Sequence, residues 1–427
     1  MSDVRRPRAS FVLLATMAVL AACALAPTAR ASTPPTSVIA WNTIAQRAIV
    51  TVGVSPPPAS AVLFAYTQAA VYDAVAAIDG DMAPYAPPLR ARPHASVDAA
   101  VAAAAHDVLV HYFPAQAAAL DADEAAALAA IPGGRGKHAG IAVGQEAAAQ
   151  LIALRQDDGF GADIGFVMPP PAPGVWQLPA GATPLTPWLS TMRPFILDRP
   201  DQFRPGPPPA LSSSTWTRDF NEVKAVGGST STVRTPEQTT IAQFWTTHAG
   251  AQWNAALGEA ALSHGLDAGG AARLLAMGDI VGADALIACF DAKYHYLFWR
   301  PVYAVPLGDT DGNPATTGDP SWTPLVATPS HPEYPSAHGC FSGAEVDVLR
   351  AFFGTDRINI DMSSTVTPTM PVRHFETGDQ LITEVENARV WGGIHYRNST
   401  EVGAQLAGRV VRWDLAHAFG QSTDDDD

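Results

Sequence analysis

The stretch AVLFAYTQAAVYDAVAAI, residues 61–78, decides the fold class of this chain. Its apolar residues recur at i, i+3 and i+4, which is the pattern of an amphipathic helix. The apolar side chains that trace one helix face are Leu63, Tyr66, Ala70, Val71 and Val75. The same spacing in Ala-rich windows predicts helices over residues 36–51, 59–79, 95–112, 115–131 and 137–156.

The pattern changes between residues 157 and 212, which are rich in proline and glycine and have no sustained period. A loop of this length is unusual inside a compact domain. Four aromatic residues argue against a disordered linker, and we predict that the loop wraps over the helices with these side chains as anchors. They are Trp176, Trp188, Phe195 and Phe203.

Helical patterns resume after this loop, starting with residues 215–226. Thr235 then provides an N-cap, Pro236 takes the first helical position and Gln238 completes a capping box, which predicts a helix that runs to about residue 264. Further helices are predicted over 268–299, 337–353, 376–390 and 396–419, with a second long loop over 302–335. No alternating strand pattern exceeds four residues. We therefore predict an all-α protein, a helical bundle with long wrapping loops, built as one domain over residues 32–427.

The N-terminus has the layout of a targeting segment. Three arginines precede an apolar run over residues 11–25, and Ala29-Arg30-Ala31 follows as a small-x-small cleavage site. We predict a signal peptide over residues 1–31 and a secreted or periplasmic protein. The residues leading to Cys23 also fit a lipoprotein signal, which would leave the chain lipid-anchored through Cys23. The apolar run is short for a membrane span, so no transmembrane domain is predicted in the mature chain.

The composition of the 427 residues, 47% of them hydrophobic, predicts a sizeable core. A formal net charge of −15 argues against a nucleic-acid partner, because phosphates would be repelled. The acidic run at 424–427 is typical of a solvated tail. After cleavage only Cys289 and Cys340 remain, and they either form one disulfide or are buried free thiols, the interpretation we favour.

Cationic and histidine side chains concentrate in three short segments near the C-terminus. They are KYHYLFWRP (293–301), HPEYPSAHG (331–339) and ARVWGGIHYR (388–397). Lys293 and Arg300 are seven residues apart, which would place them on one helix face, and two stacked cations repel unless an anion lies between them. A solvated basic face is the alternative, but the aromatic residues between them favour burial.

The other two segments offer further oxyanion donors. Ser336 is a natural N-cap, and the free backbone N–H groups of Ala337, His338 and Gly339 would lie at a helix N-terminus, where anions bind. Arg389 is suited to bidentate oxyanion binding. His395 follows a Gly-Gly break and could act as nucleophile or metal ligand. The three segments together predict one anion-binding site within residues 290–400.

In order and spacing, K-x6-R-P, P-S-x-H and R-x5-H resemble the signature of the type-2 phosphatidic acid phosphatase / vanadium-dependent haloperoxidase superfamily. The stretch from about 215 to 410 is similar to its bacterial haloperoxidase-like branch. The resemblance implies an all-helical catalytic domain. It also implies that oxyanion oxygens are held by Lys293, Arg300, Ser336, Ala337, Gly339 and Arg389.

The resemblance also implies roles for three histidines and a lysine. His395 would be the vanadium ligand in a peroxidase or the phosphate-accepting nucleophile in a phosphatase, and His338 would be the acid–base residue. Lys293 would polarise the peroxide, and His331 would lie on the halide side, although a loop histidine without a role is equally expected. The implied cofactor is vanadate, for which phosphate competes or substitutes, and neither a nucleotide nor a haem is expected.

Two departures from the family pattern bear on function. Ala337 replaces the glycine of P-S-G-H, which keeps the backbone donor but tightens the approach. Ser399 stands where H-x3-D has an aspartate that would orient the histidine, which puts strong phosphatase activity in doubt. Glu333 is expected to anchor its loop by pairing with a cation, such as one of the arginines.

Three functions follow from these residues. The favoured one is a secreted vanadium-dependent haloperoxidase that oxidises halide with hydrogen peroxide. The alternatives are a secreted phosphatase that acts on a phosphate ester through a phosphohistidine at His395, and a non-catalytic oxyanion-binding protein. A homodimer is plausible, because the long loops could wrap around a partner.

Overall fold

The computed structural model describes residues 1–2, 33–90, 92, 94–179 and 181–420, and these residues contain thirteen α-helices and two short strands. The helices are α1 (Thr36–Gln46), α2 (Pro57–Asp79), α3 (Val97–Tyr112), α4 (Ala117–Ala129), α5 (Arg135–Arg155), α6 (Ser214–Val226), α7 (Pro236–Phe244), α8 (Ala249–Ser263), α9 (Ala268–Tyr296), α10 (Pro301–Ala304), α11 (Ala337–Phe353), α12 (Gly378–Trp391) and α13 (Arg397–His417). The strands are β1 (Ile360–Ser363) and β2 (Val372–Phe375).

The all-α prediction is confirmed, with one addition. Strands β1 and β2 pair antiparallel, from Ile360 opposite Phe375 to Ser363 opposite Val372. Each strand has only four residues, which is too short for an alternating pattern to stand out in the sequence. The predicted signal peptide, with Cys23, lies outside the described residues except for residues 1–2, and the acidic tail at 424–427 lies outside them altogether.

The described residues from Thr33 onward form one compact unit around the long helices α2 and α9. Helix α9 packs against α2, α8, α11 and α13, and α2 packs against α3 and α5. Nearly every residue of α2 is buried, so the stretch at 61–78 forms a central core helix and not a one-faced surface helix. Among the described residues, α2 is also the one helix long and apolar enough to cross a membrane, and 94% of its most apolar window is buried in the protein.

The loop at 157–212 wraps over the helices as predicted. Trp176, Trp188 and Phe195 are buried, and Phe203 packs partly buried against the core. A carboxylate that the sequence did not single out holds this loop. Asp284 of α9 accepts hydrogen bonds from three consecutive backbone N–H groups, those of Phe195 (2.6 Å), Ile196 (2.7 Å) and Leu197 (3.0 Å). The wrapping loop is thereby tied to a core helix.

The single helix predicted from Pro236 to about residue 264 is wrong, because the chain breaks between α7 and α8. The capping box at Thr235 and Gln238 is present, but a second helix start follows at His248, whose ring accepts a hydrogen bond from the Ala251 N–H at 3.4 Å. The break frees the carbonyl oxygen of Trp245 from helical bonding. That oxygen accepts a hydrogen bond from Arg389, so the interruption contributes to the candidate site.

The two cysteines of the described chain are free and buried, which confirms the interpretation as buried thiols. The Cys289 thiol donates a hydrogen bond to the Pro335 carbonyl oxygen, at an S···O distance of 3.7 Å. Burial raises the pKa of the Cys340 thiol well above its ordinary value, so it remains protonated. These thiols therefore pack as small apolar groups beside the loop that leads into α11.

Candidate active site

The three predicted segments meet around one pocket of about 310 Å³. His331, Ala337, His338, Arg389 and His395 line it, and its mouth is largely apolar. Lys293, Arg300 and Ser336 are fully buried in the layer of residues behind it. A larger pocket of about 370 Å³ lies between the wrapping loop and α13, and none of the predicted site residues line it.

Lys293 and Arg300 do not share a helix face, which corrects the spacing argument. Helix α9 ends at Tyr296, and Leu297 adopts a left-handed backbone conformation with φ of 49°. The chain then pairs with the wrapping loop, since the Trp176 N–H donates to the Leu297 carbonyl at 2.7 Å. Arg300 therefore lies beyond the helix, and the extended segment returns its side chain to the site.

Both cations hold the loop that carries the second motif. Lys293 Nζ donates to the carbonyl oxygens of Pro332 (2.8 Å) and Glu333 (2.9 Å), and Arg300 Nε donates to that of His331 (3.0 Å). Burial lowers the pKa of Lys293 to about 8 and that of Arg300 to about 10. The surroundings therefore disfavour the protonated form of both groups. An anion bound in the pocket would raise the pKa of both again.

The hydrogen bonds of His395 fix its tautomer. Its Nε2 lies 3.0 Å from Arg300 Nη1, which can only donate, so Nε2 is the atom with the lone pair. Its Nδ1 lies 2.8 Å from Glu333 Oε1 and carries the proton. Burial, with the nearby Arg300, keeps the pKa of His395 well below its ordinary value, so the ring is neutral. A neutral imidazole with a free lone pair is the form that ligates a metal or attacks phosphorus.

Glu333 differs from the expectation that it pairs with an arginine, because its direct partner is His395. Its Oε1 also accepts the backbone N–H of Tyr396 at 3.1 Å, while Oε2 has no hydrogen-bond partner among the described residues. Burial raises the pKa of Glu333 to about 7, and Arg300 and Lys293 oppose this. Ser399, at the position of the family's aspartate, donates through Oγ to the Glu333 carbonyl at 3.4 Å and does not orient His395.

Ser336 caps α11 as predicted, with its Oγ accepting the Gly339 N–H at 3.4 Å. This bond occupies the Gly339 donor. A Cβ at Gly339 would lie 2.6 Å from the Thr400 carbonyl oxygen, so glycine is required here for α11 to pack against α13. Ala337 lines the pocket, and its backbone amide lies in the first turn of α11.

His338 and Arg389, which line the pocket, each have a buried polar atom that lacks a hydrogen-bond partner. Arg389 Nη1 donates to the Trp245 carbonyl at 2.6 Å, but Arg389 Nε and His338 Nε2 have no partner among the described residues, although both are buried. Burial lowers the pKa of Arg389 to about 9 and that of His338 well below its ordinary value. Buried polar atoms without partners are costly, which indicates that a ligand supplies the partners.

His331 lies at the pocket wall, as the motif spacing suggested. Its ring packs against Phe290 with centroids 5.1 Å apart, and its Nδ1 lies 3.0 Å from Arg300 Nη2. Burial and the two neighbouring cations keep its pKa well below the ordinary value, so this histidine is neutral as well. Within the described residues no group of three or more His, Cys, Asp or Glu side chains could hold a metal cation. The three buried cations Lys293, Arg300 and Arg389 favour an oxyanion as the ligand of this pocket.

Comparisons with known proteins show which proteins the chain is similar to. Residues 273–421 match the family model described as the VCPO second helical-bundle domain. All three motif segments of the chain lie within these residues. The chain is 29% identical to the vanadium chloroperoxidase of Curvularia inaequalis over an alignment that covers 30% of this chain and only 27% of that relative. The alignment therefore spans little more than a quarter of the relative's length.

Solved structures of similar proteins extend the likeness to the whole fold. A bacterial vanadium-dependent iodoperoxidase superposes with a TM-score of 0.77 at 24% identity, over 93% of this chain and 99% of that one. A holo-type bacterial vanadium-dependent chloroperoxidase gives 0.72 at 17% identity, over 92% and 100%. The chain has the helical fold of the vanadium haloperoxidases. Together with the family match, this confirms the resemblance to the haloperoxidase-like branch.

Proposed function

We propose that this protein is a vanadate-dependent haloperoxidase that oxidises a halide with hydrogen peroxide. The observation that carries the proposal is the set of three buried cations, Lys293, Arg300 and Arg389, around the lone pair of His395 Nε2. Glu333 is the one carboxylate in direct contact with this set among the described residues, and it is bonded to His395. The excess buried positive charge requires an oxyanion.

Vanadate fits the donors that the chain provides. Arg389 Nε lacks a partner and Lys293 Nζ uses two of its three donors, so both can donate to an oxyanion oxygen, while His338 Nε2 also lacks a partner and is left for proton transfer. His395 Nε2 would be the ligand, which requires the anion to replace its contact with Arg300 Nη1. When bound, vanadate supplies the activation of hydrogen peroxide for attack by a halide ion.

The chain's own residues bind, orient and move protons. Lys293, Arg300 and Arg389 neutralise the oxyanion, and the Ala337 amide adds a backbone donor at the start of α11. His338 is neutral with Nε2 free, so it can take a proton from hydrogen peroxide and return it to the product. His331, on the pocket wall, is the candidate contact for the halide, and the apolar mouth limits the entry of water.

The test is halogenation of a dye by purified apoprotein with hydrogen peroxide and bromide or iodide, with and without orthovanadate. We expect turnover only with orthovanadate, suppression by phosphate, and loss of turnover in His395→Ala, because this variant removes the Nε2 lone pair that would bind vanadium. Equal turnover of His395→Ala and the parent would contradict the assignment. Matching thermal unfolding curves would show that the variant is folded.

A phosphatase is the second candidate, and the Glu333–His395 pair favours it. The sequence argued against phosphatase activity because Ser399 replaces the orienting aspartate, but Glu333 provides a carboxylate at 2.8 Å from His395 Nδ1. In this reaction His395 Nε2 would form a bond to phosphorus as the bond from phosphorus to the ester oxygen breaks, and the leaving oxygen would take a proton from water. A water molecule would then cleave the N–P bond and release phosphate. Release of phosphate from an aryl phosphate, inhibited by vanadate, would support this function.

Secretion and dimerisation stay predictions. N-terminal sequencing of the mature protein would distinguish cleavage after Ala31 from lipidation at Cys23. Light scattering in solution would give the number of chains in the assembly.

A further inference from the structure

We propose that Glu333 is the positioning residue of this site and that it replaces, from the loop before α11, the aspartate that related sequences have at position 399. Its role is to fix the tautomer and orientation of His395 through the Oε1···Nδ1 contact of 2.8 Å. The proposal rests on the proposed function only in taking His395 Nε2 as the atom that meets the oxyanion. It assigns Glu333 no contact with the anion itself.

The carboxylate of Glu333 is held firmly enough for this task. Its Oε1 also accepts the Tyr396 N–H at 3.1 Å, its own N–H donates to the Phe298 carbonyl at 3.0 Å, and its carbonyl accepts from Lys293 at 2.9 Å. Glu333 and His395 are both almost completely buried. A residue whose backbone is bonded to Phe298 and Lys293 and whose carboxylate is bonded to Tyr396 can hold an imidazole in one orientation.

Positions 333 and 399 are alternative sources of the same carboxylate. Glu333 and Ser399 both line one small cavity of about 10 Å³, together with Tyr396 and the buried Asp219. An aspartate at 399 would therefore place another carboxylate close to that of Glu333, and two such groups repel each other. The serine at 399 avoids this repulsion.

The chemical consequence concerns the lone pair of His395. With Nδ1–H donated to a carboxylate, Nε2 stays unprotonated and becomes more basic. Without that acceptor the proton can reside on Nε2, and the ring can rotate, so that no lone pair faces the anion. Partners of this kind contribute about 10- to 100-fold to the affinity of a site for its metal.

The experiment uses three variants of the full chain and one control. Glu333→Ala removes the acceptor, Glu333→Gln keeps an acceptor oxygen without the charge, and Glu333→Ala with Ser399→Asp moves the carboxylate to the family position. Glu222→Gln is the matched control, because Glu222 binds Arg397 near the start of α13 at 2.6 Å but does not contact His395. Calorimetric titration of apoprotein with orthovanadate and with phosphate gives the affinities, and ¹⁵N spectra of labelled histidine give the tautomer of His395.

We expect Glu333→Ala to weaken binding of both anions by about 10- to 100-fold and to lose the Nδ1–H tautomer. Glu333→Gln should keep the tautomer and bind a few-fold more weakly, the double variant should recover part of the affinity, and Glu222→Gln should match the parent. An unchanged tautomer and unchanged affinity in Glu333→Ala would overturn the proposal, as would a double variant no better than Glu333→Ala. If Glu333→Ala does not fold, Glu333→Gln decides. Parental affinity in Glu333→Gln would show that the negative charge of Glu333 does not contribute to binding.

The tautomer and affinity measurements do not depend on turnover. A parent that binds vanadate without halogenating would contradict the proposed function, and the role of Glu333 would still be decided by these variants. A parent that binds neither anion would overturn both, because the positioning of His395 would then serve no ligand.

Discussion

The contact between helices α3 and α5 and the segments around His395 are both buried, but their residues differ in kind. The contact between α3 and α5 consists of small apolar residues. A Cβ at Gly144 would lie 2.2 Å from the Ala100 carbonyl oxygen, so the backbones touch directly. The site instead buries Lys293, Arg300 and Arg389, and burial lowers the pKa of each.

The two regions therefore contribute to different properties, the contact between α3 and α5 to stability and the segments around His395 to binding. Burial of alanine and glycine surfaces stabilises the fold and needs no ligand. Burial of cations destabilises the folded state unless an anion compensates for it. The N-terminal helices should therefore determine the unfolding temperature, and the C-terminal segments should determine affinity. Variants in the two regions can test this division.

The largest effect on affinity is expected from Arg389→Met. The variant removes a buried cation that has one hydrogen bond, to Trp245, and an Nε without a partner. We expect vanadate affinity to fall by about 100-fold or more, as for the loss of a buried charge partner. The unfolding temperature of the apoprotein should stay within a few degrees of the parent, because the lost hydrogen bond is offset by relief of buried charge. Calorimetric titration and scanning calorimetry measure the two quantities, and a large loss of stability with parental affinity would contradict the division.

Gly144→Ala is the converse test in α5. Its new Cβ would overlap the Ala100 carbonyl oxygen, so α3 and α5 must move apart, at about 1–3 kcal/mol of unfolding free energy. We expect a lower unfolding temperature and a parental vanadate affinity at 25 °C. Gln145→Ala, at the exposed neighbouring position, is the control and should change neither quantity. A fall in affinity in Gly144→Ala alone would show that the two regions are coupled.

The sequence predicted most helices because caps and periodic patterns involve near neighbours. It also placed most site residues in three short motifs. Caps such as Ser336 and Thr235 involve neighbours three residues away. The contacts that it missed join distant positions, since Glu333 and His395 are 62 positions apart and Trp245 and Arg389 are 144 positions apart. Such pairs depend on how the helices pack, and periodicity carries no information on this. The break after Phe244 was missed for the same reason. It leaves the Trp245 carbonyl oxygen available to Arg389, which is distant in sequence.

The smallest effect is expected at His106, a charged group of the N-terminal region. Its ring nitrogens lie 2.8 Å from Asp107 and 2.9 Å from Asp121, and these carboxylates raise the pKa of His106 to about 9. Because the folded pKa is above the ordinary value, the protonated ring stabilises the fold below about pH 6.5, and this contribution is lost as the pH rises through 9. His106→Gln should lower the unfolding temperature by about one or two degrees at pH 6 and by less at pH 9.5, since partly exposed ion pairs contribute little. Asp361→Asn, which removes the exposed partner of His374, is the control. If the difference in unfolding temperature between His106→Gln and the parent grew with pH, the assigned sign of the pKa shift would be wrong. A change in vanadate affinity would mean that charge in this region also contributes to the site.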